Sequence, residues 1–261
     1  MRAGERLGTV AAPIPKPCMS SDADAILSDL AAVEAERLRR AADRKLAQGV
    51  IALKAYQQLR FSHTYADLLA SERYAPAARF FLDELYGPVD FTRRDAQFAR
   101  VVPALVRLFP REIVQTVATL SRLHALSESL DTEMALRLTT PELDAAEYAA
   151  AWQATKRAND REQQILLTLD VASALDRLTR KPLIRNSLRF MRGPARAAGL
   201  SDLQVFLEAG FDTFRAMGGA AEFIRTVDER ERALARMLFA DDGIANASGL
   251  LPAALNARKS K

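Results

Sequence analysis

RFFLDELYGPVDFTRRDAQFARVVPALVRLFP, Arg79 to Pro110, places two helical periods on either side of one stop signal. Phe81, Leu82, Leu85 and Tyr86 share a helical face, with Asp83 and Glu84 turned away from it. Gly87-Pro88 ends that helix, because glycine adopts the left-handed terminal conformation and proline cannot continue the ladder. Thr92 with Asp95 has capping-box spacing and starts the next helix, whose apolar face reads Phe98, Val101, Val102, Leu105, Leu108, Phe109. Pro103 has no amide to donate and is expected to kink or split this helix.

The same grammar extends in both directions. Ser21 with Asp24, Asn159 with Glu162 and Ser201 with Gln204 repeat the capping spacing, and Thr140-Pro141 pairs a cap with a first-turn proline. Gly199 and Gly218-Gly219 are stop signals. Runs of alternating β-branched residues between turns are almost absent. The pattern predicts helices near 22–48, 49–70, 73–86, 92–109, 111–131, 141–158, 160–180, 182–198, 202–217 and 220–239. Whether 141–180 is one helix or two is left open by its polar middle, KRANDREQQ. The expected fold is all-α, a single multi-helix orthogonal or bundle-like domain of about nine or ten helices over 21–240. A flexible leader over 1–20 and a flexible tail over 241–261 flank it.

Composition narrows the functions. The net charge of +4 is too small to imply nucleic acid by itself. A single cysteine, Cys18, excludes an intrachain disulfide. No apolar run reaches membrane-spanning length, and Pro13, Pro15 and Pro17 break the N-terminal stretch, so a cytoplasmic protein is expected. Phosphate loops, Gly-x-Ser-x-Gly elbows, His-Glu-x-x-His and Cys-x-x-Cys pairs are all missing. Catalysis has no motif behind it, no catalytic residue is assigned, and no metal or cofactor is expected.

FFLDELYGPVDFTRRD, LHALSESLD at 123–131 and LQVFLEAGFDTFRAMGGA at 203–220 together resemble a family of uncharacterised bacterial proteins of similar length. The resemblance covers most of the chain after the leader. It implies one all-helical unit and carries no activity, cofactor, partner or functional residue.

Two regions are candidates for function. Ten of the 18 aromatics lie between Tyr56 and Phe109, so the largest side chains gather around the opening hairpin. They either build a core corner or line a cavity for an apolar ligand, in the extreme a tetrapyrrole. Tyr56, Phe61, Phe81, Tyr86, Phe98 and His124 are the candidate pocket residues. His124 continues the stripe Ile113, Val117, Leu120 and has Glu128 one turn on to orient it; His63 has Asp67 at the same spacing. The second region is Arg177, Lys181, Arg185, Arg189, Arg192, Arg196, in steps of 4, 4, 4, 3, 4. These six cations share one face if the segment is continuously helical, with Ile184, Leu188, Met191 and Ala195 turned to the core. Such a face is either solvated and paired with acids of the same fold, or a contact surface. As a contact surface it suits an acidic protein partner first, and an anionic membrane or nucleic acid less well. A non-catalytic binding or regulatory protein is the leading expectation, a carrier or sensor of an apolar ligand the second, and an enzyme the third.

Overall fold

The computed structural model describes residues 19–84, 91–140, 142–249 and 251–253. The first half holds α1 Met19–Ala41, α2 Arg44–Thr64, α3 Ala66–Ala70, α4 Ala75–Glu84, α5 Thr92–Leu108 and α6 Arg111–Ala135. The second holds α7 Ala145–Ala154, α8 Ala158–Thr179, α9 Pro182–Phe190, α10 Arg192–Ala197, α11 Ser201–Ala216, α12 Ala221–Phe239 and α13 Gly243–Asn246, then a 3-10 turn at Ala247–Gly249. No strand occurs among the described residues, and the fold is all-α. The Gly87-Pro88 stop falls outside the described residues.

Helix breaks differ from the sequence reading in instructive places. The joint expected at 48/49 is absent; the chain breaks at Asp43, whose carboxylate accepts from the amides of Lys45 at 2.9 Å and Leu46 at 3.1 Å. The helix expected from 141 starts at Ala145, capped by Asp144 through the Glu147 amide at 2.8 Å. Lys156, at φ 54°, then separates α7 from α8, so 141–180 is not one helix. None of the four capping boxes acts as one. α1 is already helical at Ser21, and α5, α8 and α11 have no side-chain cap at Phe91, Arg157 and Leu200. Pro103 lies inside α5 without splitting it. Gly199, at φ 69°, closes α10 as expected: its amide reaches Arg196 O and the Leu200 amide reaches Ala195 O at 2.8 Å, the paired bonds of a Schellman end.

The tail expected from 241 is packed over part of its length. Ala247 and Leu251 are buried, and the Tyr56 hydroxyl donates to Pro252 O at 2.7 Å. Gly243 makes this return possible. A Cβ there would lie 2.3 Å from Met237 O and 3.0 Å from Leu238 O, backbone atoms that cannot swing aside. Gly243→Ala is therefore expected to cost about 1–3 kcal/mol of unfolding free energy in a urea titration, the range for forced overpacking.

α1 lies along α6, α6 against α8, and α8 against α12, while α11 bridges α4, α5 and α8. The apolar interior forms three clusters. The first joins α2, the end of α6, α7, α12 and the C-terminal turn around Leu53, Tyr148 and Leu238. The second joins α2, α3, α4, α8, α11 and α12 around Phe81, Phe214 and Phe223. The third joins α1, α5 and α6 around Ile26, Val102 and Val114. They meet around a space that the apolar side chains of the described residues do not fill.

Candidate functional site

That space is a cavity of about 190 Å3. Each cluster supplies part of its wall: Tyr148 and Trp152 from the first, Phe61, Phe81 and Phe223 from the second, Leu30, Phe98 and Val117 from the third. Leu207 of α11 is the exposed member of the described wall and marks its outer edge.

Charged side chains line the rest, in two clusters. At one end Asp95 of α5 accepts from His124 of α6 at 2.8 Å and also pairs with Arg37 of α1. Arg94 stands beside it, 3.5 Å from the carboxylate, with its guanidinium over the rings of Phe91 and Phe206. Burial pushes the Asp95 carboxyl up, but the His124 and Arg37 contacts outweigh it and hold the pKa at about 2.

The inner cluster is larger. Glu128 binds Arg40, and Lys54 at 2.5 Å. Arg40 also donates to Thr132 Oγ1 and Glu128 O. Asp131, one turn on, accepts from Gln57 at 2.8 Å and has Lys54 at 3.9 Å. Arg60 pairs with Glu231, which accepts the Tyr65 hydroxyl at 2.7 Å. Arg161, 3% exposed, lies over the Trp152 ring at 4.0 Å and donates to Gln164 Oε1. The Trp152 Nε1–H is buried and has no hydrogen-bond partner.

The two carboxylates of this cluster differ. Burial works against ionisation of Glu128, but Lys54 and Arg40 overcome it and hold its pKa at about 2. Burial dominates at Asp131, seconded by the charge of Glu128, and raises its pKa despite Lys54. The unfolded chain therefore releases the Asp131 proton near the ordinary value of about 3.9, while the folded chain holds it to higher pH. Between those values the folded state binds more protons, so stability falls as pH rises and stays reduced above the folded pKa. Asp131→Asn keeps an acceptor for Gln57 and removes this loss. The variant is expected to melt higher than the parent at pH 7, with the advantage shrinking towards pH 4; melts at both values check it.

Phe61, Phe81, Phe98 and His124 of the sequence-derived pocket line the cavity. Tyr56 lies behind the wall, buried in the first cluster, and Tyr86 is outside the described residues. His124 is oriented by Asp95 from another helix, because Glu128 is committed to Arg40 and Lys54. His63 is exposed, and its expected partner Asp67 is held by both Nη atoms of Arg230 at 2.7 Å. No group of three or more potential metal ligands occurs among the described residues.

The six cations of the basic segment do not share one continuous helix, since the chain breaks after Thr179 and again at Met191. Arg177 and Lys181 both reach Glu112, Arg185 lies 3.3 Å from Asp212, and Arg192 forks onto Glu208. Arg189 and Arg196 form no ion pair with a described residue. Ile184 and Leu188 are half-buried and Ala195 is buried, whereas Met191 is exposed. α9 buries no residue fully and presents Leu183 and Phe190, 79% and 86% exposed.

Sequence reading missed the inner cluster. A signal was present: Val114, Ser121, Glu128 and Ala135 are buried at seven-residue steps on α6, and on α2 Gln57 and Arg60 continue the buried run from Val50 and Leu53. Polar residues on core positions are the mark of a buried network or a site.

No helix among the described residues is long and apolar enough to cross a membrane. No curated protein matches the chain, and no solved structure does. One family model does, over residues 36–243, a span that carries both charged clusters, and the chain belongs to the family described as Domain of unknown function (DUF8198).

Proposed function

We propose that the protein is a binding protein that holds a small amphipathic molecule in its central cavity. The observation that carries this reading is the cavity wall, where three apolar clusters, two of them rich in aromatics, stop short of one another and buried ionic groups face the remaining space. Burying charge is expensive, and well-packed apolar residues are often as stable or more so in its place. A cavity that combines an apolar wall with a few convergent polar groups is the arrangement that binds and orients small ligands. The size supports a ligand of one or two small rings: a cavity of roughly 150 Å3 takes up benzene, and this one is about 190 Å3. A tetrapyrrole would require the helices to move apart.

Filling the cavity tests the reading. Ala172 of α8 is buried in the wall. Native mass spectrometry of the parent should show a retained small molecule, or a one-ring probe such as toluene should raise its melting temperature. Ala172→Phe, verified as folded by circular dichroism, should lose that response. A parent with no retained mass and no response to any one-ring probe removes the proposal.

The exposed Leu183 and Phe190 favour a second reading, in which α9 is a contact surface for an acidic partner beside Arg189 and Arg196. Changing both arginines to Gln should leave stability within about 0.5 kcal/mol. It should also weaken binding to polyglutamate at low salt; unchanged binding would leave the surface without this role.

A further inference from the structure

The outer end of the cavity holds an acceptor that the described fold does not use. His124 of α6 lines the cavity, and its Nε2 meets Asp95 of α5 at 2.8 Å. Burial opposes ionisation of Asp95, but the His124 and Arg37 contacts outweigh it, so the carboxylate carries no proton and can only accept. The hydrogen of the neutral imidazole therefore sits on Nε2 and leaves Nδ1 bare. Nδ1 forms no hydrogen bond with a described residue, and the His124 side chain is 20% exposed, so this nitrogen is neither matched nor sealed in. Leu120, one turn before His124, and Phe98, one turn after Asp95, stand in the same wall. An oriented acceptor thus borders an apolar surface.

The charged side chains of the described wall are engaged with other protein groups. At the outer end Arg94 lies 3.5 Å from Asp95 and 3.7 Å from Glu84. At the inner end Glu128 holds Lys54, Glu231 holds Arg60, Gln57 donates to Asp131, and Arg161 donates to Gln164. A charged ligand would have to shed its water without an uncommitted counter-ion in this wall. The Trp152 Nε1–H is also unmatched, but it is fully buried, and no ligand reaches it in this packing.

We propose that the cavity takes a small neutral ring compound bearing a hydroxyl, of the phenol class, whose O–H donates to His124 Nδ1 while its ring lies against Phe98 and Leu120. This rests on the cavity reading above and narrows it to one chemical class. A hydrocarbon would gain the apolar wall and leave Nδ1 unmet. A carboxylate has no hydrogen to donate and would bring its charge beside Asp95. An ammonium could donate, but it would give up its hydration where the carboxylates of the wall are already engaged.

Trp152 is the only tryptophan of the chain and stands in the cavity wall, so its emission reports occupancy. The full-length protein is titrated with phenol, toluene and benzoate, one-ring probes that differ in the polar group, and binding is followed by emission and by melting temperature. Phenol is expected to bind at least as tightly as toluene, although its hydroxyl must leave water, and benzoate to bind more weakly than phenol. His124→Phe keeps a ring in the wall and leaves Asp95 with Arg37. Once shown to be folded by circular dichroism, it should bind phenol about tenfold more weakly and toluene as the parent does. The imidazole nitrogen NMR spectrum of the parent, at about pH 8 where an ordinary histidine is neutral, gives a readout that needs no variant. The chain has two histidines, and phenol should shift the Nδ1 resonance of His124 and leave those of His63 in place. Tighter binding of toluene or benzoate than of phenol, or an Nδ1 resonance that saturating phenol does not move, overturns the phenol assignment while leaving the cavity reading intact. Undiminished phenol binding by a folded His124→Phe variant overturns the role of His124. Silence from all three probes, in emission and in melting temperature, overturns the cavity reading itself.

Discussion

Glu128→Ala is expected to lower the unfolding free energy by about 3–5 kcal/mol, the cost of leaving buried charges without their partner. Glu128 is the shared acceptor of Arg40 and Lys54, and the first of these is itself buried. Its removal leaves Arg40 with Thr132 and a backbone carbonyl, and Lys54 with Asp131 at 3.9 Å, a carboxyl whose ionisation burial opposes. A small domain has about 5–15 kcal/mol in total, so the variant should lose a large share of its stability. Arg232→Ala is the matched control. Arg232 also joins two acids, Asp228 and Glu162, but all three are partly exposed. Water screens that pair and its loss is expected to cost about 1 kcal/mol or less. Urea titrations of the two variants compare them; similar losses would mean that burial does not set the strength of the Glu128 cluster.

Phe214→Ala is expected to cost about as much, 3–5 kcal/mol, for an unrelated reason. Its ring is 1% exposed and lies 5.9 Å from Phe81 and 6.5 Å from Phe223. Truncation opens a hole among aromatics that are fixed by further neighbours, Tyr74 and Phe80, and cannot collapse into it. Phe190→Ala removes the same atoms from a position that is mostly in solvent, and should change the midpoint of thermal unfolding little.

The two variants mark what could be read from the chain. Helical character was legible because apolar period and the scarcity of strand signals act over many residues at once. The helix starts were less so, since a capping residue serves whichever partner folding brings closest. Asp95, placed to complete a cap with Thr92, is drawn instead to Arg37 and His124; Glu162 goes to Arg232, and Gln204 to Leu188 O and Glu208. Asp144 does act as a cap and has Glu147 three residues on, so that start was present in the sequence and was passed over for Thr140-Pro141.

The aromatic half of the candidate site could be named because Phe61, Phe81 and Phe98 belong to a segment dense in aromatics at helical spacing, and such residues are most often interior. Its ionic half could not. Arg40 meets Glu128 across 88 residues, Gln57 meets Asp131 across 74, and Arg60 meets Glu231 across 171. Each of these side chains has the composition of a solvated helix face, and only the packing of α1, α2, α6 and α12 turns them inward. The basic segment shows the reverse error of scale. Its regular spacing survives only as far as the helix does, and breaks after Thr179 and at Met191 divide its cations among α8, α9 and α10 and the turn at Lys181.

The unfilled junction of the three clusters also has a mechanical meaning. Protein interiors elsewhere are packed about as densely as organic crystals, so an internal void is the most compressible part of the molecule. Unfolding lets water occupy that volume, which makes the folded chain the bulkier of the two states. Hydrostatic pressure is therefore expected to act on this fold where α2, α6, α8 and α12 converge. An occupant of the cavity would stiffen the molecule there without touching its surface.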